Sequence, residues 1–236
     1  MKKTIFLFLS FAIFISCNND KLASMSSGIN SEQMTFSYEG KIYSSKVEVN
    51  EISGLTWENE EVKSLYDQLQ SNSKLCTFID KNGNISFYDK IEDVININND
   101  SVLVPTSISR ATSSDEYMDI YVYLYEGIYY NTILRTVHYM FTQSVVNSSF
   151  FEEYEEGNFQ PQASSYIIEI EPLIGGNWDE TISAVVIFYD EKDYQGSTLV
   201  VEVATTGYQR LFQKNLALVS WDNRICGCRM MAAREL

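Results

Sequence analysis

The sequence predicts a mainly β protein, with a small α+β unit at residues 34–104 followed by an antiparallel β-sandwich at residues 118–230. Three observations carry this reading. Strand-like alternation, punctuated by Glu39-Gly40 and Asn82-Gly83, dominates the chain. One helical apolar stripe stands out, in the first half. The second half repeats two of its own blocks in the same order. With 45% hydrophobic and 14% aromatic residues, the chain can bury real cores, which excludes a disordered protein.

The chain opens with Met1-Lys2-Lys3, an apolar run from Thr4 to Ile15, then Ser16-Cys17. A basic end, a brief apolar core and a small residue make a secretory signal at residues 1–16, too short to span a bilayer. Phe14-Ile15-Ser16-Cys17 resembles the bacterial lipoprotein processing box, with Phe14 where that family has Leu. The resemblance implies that Cys17 is diacylated and becomes the first mature residue. It also implies a protein anchored in the cell envelope, at the outer membrane or cell surface, with the membrane as a partner through the lipid. The alternative is an ordinary secretory signal with Cys17 incidental. Residues 17–33 show no periodicity and read as a flexible tether.

Thr35-Phe36-Ser37-Tyr38 and the run Ile42 to Val49 alternate as strands around a tight Glu39-Gly40 turn. Asn59 is placed as an N-cap, with Glu60 and Glu61 in the first turn where the helix dipole favours anions. Val62, Leu65, Tyr66 and Leu69 follow on one helical face. Leu75–Ile79 and Ile85–Tyr88 flank Asn82-Gly83, which predicts a hairpin with a two-residue turn. Residues 105–117 are rich in Ser and Thr and read as a linker; residues 231–236 read as a tail.

Beyond the linker, Leu124 to Leu134 matches Phe188 to Leu199, with one residue fewer in the turn. Trp178-Asp179-Glu180-Thr181-Ile182-Ser183-Ala184 matches Trp221-Asp222-Asn223-Arg224-Ile225-Cys226-Gly227 without a gap. Each first block predicts a strand folding over into a hairpin, begun by Tyr125 or Tyr189. In the second copy Tyr194 packs on the turn and Gly196 supplies a backbone angle that larger residues resist. Asn131 is expected to take the place of Gly196 in the first copy. Each second block sets a tryptophan, Trp178 or Trp221, against the core before a polar turn. Tyr125 to Trp178 spans 53 positions against 32 from Tyr189 to Trp221, so the first copy carries an insertion.

An aromatic, four residues, an aromatic, one residue and Gly, followed later by Trp-Asp-x-x-Ile, resembles the Greek-key motif of the β/γ-crystallin superfamily. The resemblance covers residues 118–230, about half of the chain, and implies two four-stranded Greek keys packed as a β-sandwich. Microbial members bind calcium through paired acids or amides followed by hydroxyl residues. Carried over, the first copy supplies Asp179, Glu180, Thr181 and Ser183, and the second Asp222, Asn223 and Arg224. Cys226 stands where the second copy should have its hydroxyl, and a thiol is a poor calcium ligand. The alternative is that these acids simply cap turns.

A formal charge of −15 argues against nucleic-acid binding, which needs basic patches. The acidic run Glu152-Glu153-Tyr154-Glu155-Glu156 is expected to be a solvated loop. Three cysteines follow Cys17 (Cys76, Cys226 and Cys228), expected as buried small residues or one bridge rather than a metal site. His138 is the sole imidazole and is expected to be an ordinary strand or loop residue. These features predict a non-enzymatic envelope lipoprotein with a binding or structural module and a protein or glycan partner. Two rivals remain from other classes: a protease inhibitor on the same fold, and a degenerate carbohydrate-active enzyme.

Overall fold

The computed structural model describes residues 30–50, 54–97, 116–127, 129–143, 150–172, 182–203, 208–213 and 215–234. The expectations for residues 1–16, for Cys17 and for Trp178, Asp179, Glu180 and Thr181 lie outside those residues. Strand β1 (Asn30–Tyr38) pairs antiparallel with β2 (Lys41–Asn50). Glu39 and Gly40 both have positive φ, 49° and 73°, the turn whose twist suits a two-residue hairpin. β1 reaches back to Asn30, into the segment expected as tether, because Ser31, Glu32 and Gln33 pair through their backbone without an apolar pattern.

β3 (Gly54–Trp57) lies on the far edge of β2 and leads into α1 (Glu60–Gln70). The Asn59 carboxamide oxygen accepts from the N–H groups of Glu61 and Val62 at 2.9 and 3.2 Å, the cap expected from sequence. Val62, Tyr66 and Leu69 are buried against Phe36, Trp57 and Phe87, with the Tyr66 and Trp57 rings 4.8 Å apart. β4 (Cys76–Ile79) and β5 (Ile85–Tyr88) form the expected hairpin. Its turn is longer than predicted. Asp80 organises it by accepting from the N–H groups of Asn82 and Asn84, both at 2.8 Å, and Gly83 alone takes positive φ. A second short helix, α2 (Ile91–Ile97), follows.

The second half runs β6 (Glu116–Glu126), β7 (Thr132–Gln143), β8 (Phe150–Glu156) and β9 (Ala163–Pro172). A second set follows: β10 (Ile182–Tyr189), β11 (Thr198–Val203), β12 (Gln209–Gln213) and β13 (Gly227–Arg234). The short sheet has the order β12-β9-β6-β7, and the long sheet β3-β2-β1-β5-β4-β11-β10-β13-β8. Each set therefore keeps its first, second and fourth strands together and lends its third strand to the other sheet.

The two sheets pack face to face. Ile120, Val122, Val137, Phe141, Tyr166 and Ile168 of the short sheet meet Val186, Phe188, Leu199, Val201 and Met230 of the long one. The opposite face of the long sheet is also covered, by Val94 of α2 over Cys76, Ile187 and Val200. Burial on both faces explains why Val185 to Tyr189 and Leu199 to Val201 read as continuous apolar runs instead of alternating.

The N-terminal segment is not tethered loosely to the rest. β4 pairs in parallel with β11 from Cys76↔Thr198 to Ile79↔Val201. The Tyr66 hydroxyl meets Ser220 Oγ at 2.7 Å, and the Trp221 indole N–H donates to Thr77 Oγ1 at 3.4 Å. We expect the full chain to unfold in one cooperative transition by calorimetry. Residues 116–236 alone, with β11 left as an apolar edge, should self-associate. Two resolved transitions, or a monomeric fragment of undiminished melting temperature, would show the segments to be independent.

Candidate functional site

The hairpins that carry the recurring block fold their aromatic residues alike. Tyr189 and Tyr194 meet edge to face with centroids 5.4 Å apart, and Tyr125 and Tyr130 do the same at 5.5 Å. In each turn the second aromatic and the residue before it take positive φ: 60° and 58° at Asp193 and Tyr194, 61° at both Tyr129 and Tyr130. Tyr130 is a motif residue not singled out above, and its signal is the Tyr125-x4-Tyr130 spacing, which repeats that of Tyr189 and Tyr194.

Gly196 has φ +82°, and a Cβ there would collide with the Asp190 carboxylate and come within 2.8 Å of Glu191 Cγ. Asp190 occupies that space because its Oδ1 accepts from the Ser197 N–H at 2.7 Å. Asn131 does not play the part expected of it. Its backbone is not left-handed, because the shorter first turn passes straight from Tyr130 into β7 at Thr132.

Trp221 is 1% exposed and anchors the turn that leads into β13. Its backbone N–H donates to the Leu216 carbonyl at 2.8 Å, and the Arg224 guanidinium lies 5.1 Å from the indole centroid. Arg224 also donates to the Ser220 carbonyl at 2.6 Å and forms an ion pair with Asp190. The tryptophan turn and the Gly196 corner are thus joined by one arginine that sequence analysis placed in a calcium site.

That second-copy turn does not fit calcium. Arg224 places a fixed positive charge in it, Cys226 offers a thiol, and the Asn223 amide is donated to Asp222 Oδ2 at 3.1 Å. Among the described residues no three His, Cys, Asp or Glu side chains cluster to hold a metal. Ser183 lies in β10, and the other first-copy residues, Asp179, Glu180 and Thr181, fall outside the described residues. Asp190→Ala is expected to cost about 2–3 kcal/mol, because a charged acceptor serving a backbone N–H and an arginine is lost. Gly196→Ala should cost at least about 1–2 kcal/mol from backbone strain alone. Urea midpoints equal to wild type would show the corner to be unconstrained.

The acidic run is not a loop but β8, and its period of two sorts the acids. Glu156 faces the core side and pairs with Arg135, beside the Tyr154 ring stacked 4.6 Å from Tyr139. Glu155 faces the other side and pairs with Arg229. His138 sits in β7 directly across from Tyr121, its Nε2 2.6 Å from Asp119 Oδ1 and its ring stacked 4.3 Å from Tyr121.

Cys76, Cys226 and Cys228 are free thiols. Burial pushes Cys76 up to about 12 and raises Cys228 strongly; Cys226, half-buried, is also raised by burial. The thiolate is the reactive form, so native alkylation at pH 8 should mark Cys226 first and reach Cys76 and Cys228 only after unfolding. Peptide mass spectrometry showing equal labelling of all three would refute the buried placement.

Among the described residues, two concave surfaces stand out. An open polar groove of about 690 Å³ runs past Ser44, Lys46 and Asn59 at the start of α1. A more enclosed cavity of about 370 Å³ lies between the α2 region and the outer face of the long sheet, floored by Ile187, Val200 and Met231. No protein-family model, curated protein or solved structure matches the chain.

Proposed function

We propose that this chain is a lipid-anchored protein of a bacterial envelope that acts by binding, without catalysis, through a crystallin-type module of two Greek keys. The observation that carries the module reading is the reciprocal loan of third strands, β8 to the long sheet and β12 to the short one. Two copies of one four-stranded unit related by an approximate two-fold would produce this order, and the paired corners at Tyr125–Tyr130 and Tyr189–Tyr194 support the same relation. The N-terminal unit extends one of the two sheets and supplies a second surface. The lipid anchor rests on the Phe14-Ile15-Ser16-Cys17 box alone.

Labelling of expressing cells with radioactive palmitate should mark the wild-type chain and place it in the membrane fraction. Cys17→Ser should be unlabelled and soluble. A wild-type chain that takes no label, or a Cys17→Ser variant that still does, overturns the anchor. Experimental coordinates in which β6, β7, β9 and β12 fail to superpose on β10, β11, β13 and β8 overturn the module.

A further inference from the structure

From the 370 Å³ cavity between the α2 region and the long sheet, we infer a binding site for a small organic anion with an apolar body, its acid group at Lys74 and Lys90. The volume lies within the range of small-molecule sites. The floor is apolar: Ile187, Val200 and Met231 belong to the cluster that α2 covers. Such a floor excludes a fully hydrated ion as the preferred occupant, since its hydration shell would be lost without compensation. It suits a short chain or a single ring.

The mouth has the opposite chemistry. Lys74 and Lys90 line it, both exposed, and neither pairs with an acid among the described residues. Glu92 stands on the same rim, one acid against two lysines. Among the lining residues the mouth is net positive in a chain of formal charge −15, with Asp89 and Asp93 flanking Lys90 and Glu92 in sequence, so an anion is held by direct pairing with the two lysines and not by the wider field. The side wall is already assembled without a ligand. The Arg229 guanidinium lies 5.5 and 5.8 Å from the Tyr194 and Tyr189 ring centroids and is tied to Glu155. Gly196, locked by Asp190, fixes the loop that carries Tyr194. A preformed wall reduces the ordering cost of binding. The site requires neither the lipid anchor nor the crystallin-type module, so it goes beyond the proposed function.

The test is isothermal titration of the full chain, expressed in the cytoplasm so that no acyl group is attached, with three probes. Octanoate carries both charge and tail, octanol the tail alone, and inorganic phosphate the charge alone. We expect one saturable octanoate site per chain, with octanol and phosphate much weaker. The double variant Lys74→Glu and Lys90→Glu should weaken octanoate about tenfold or more. Lys46→Glu with Lys63→Glu, at the other groove and on α1 and not among the residues lining the cavity, should leave it unchanged. Absence of saturable octanoate binding overturns the site. Octanol or phosphate binding as well as octanoate overturns the assigned chemistry. An equal loss in both double variants reduces the effect to net charge and overturns the location.

Discussion

The parallel ladder between β4 and β11 is the constraint on which the rest of the architecture depends. It is four residue pairs long, from Cys76↔Thr198 to Ile79↔Val201, yet it joins segments about 120 residues apart into one sheet. A parallel pair needs cover on both faces, and both are supplied. The short sheet closes one side of β11 through Leu199 and Val201, and α2 closes the other through Val200. Remove β4, and an apolar strand becomes an edge.

From that ladder follows the placement of everything with chemical character. It holds the end of α1 against the tryptophan turn, through the Tyr66 hydroxyl at Ser220 and the Thr77 hydroxyl at the Trp221 indole. It also brings Lys74 and Lys90, on either side of the β4–β5 hairpin, up to the Tyr194 corner of the second repeat. The Asp190–Arg224 pair then ties that corner to the tryptophan turn. A surface formed by two distant segments is therefore tied down by specific contacts on both sides, which a simple tethered pair of units would not provide.

The candidate site was legible in part, and the limit is physical. Glu39-Gly40 and the Asn59 cap are local devices, so residue type and spacing suffice to locate them. Asn82-Gly83 marked the hairpin but not its turn, because the Asp80 side chain competes for the backbone N–H groups and selects a longer loop. The acidic run at 152–156 has no apolar alternation; it is a strand because its backbone pairs with β13, and Arg135 and Arg229 on either face neutralise Glu156 and Glu155 there. Arg224 read as part of a cation loop because its partner, Asp190, lies 34 residues away in sequence.

By itself, the sequence determined the mainly β class, the amphipathic helix with its cap, the hairpins and the duplicated aromatic block. All of these arise from interactions within a few residues, where period and turn chemistry act directly. Only the tertiary structure decided that the N-terminal strands continue the long sheet, that each repeat lends its third strand to the other, and that two lysines face an apolar floor. Those outcomes depend on which edges and faces meet across long stretches of chain, and pairing between strand edges is made by backbone groups that every residue carries.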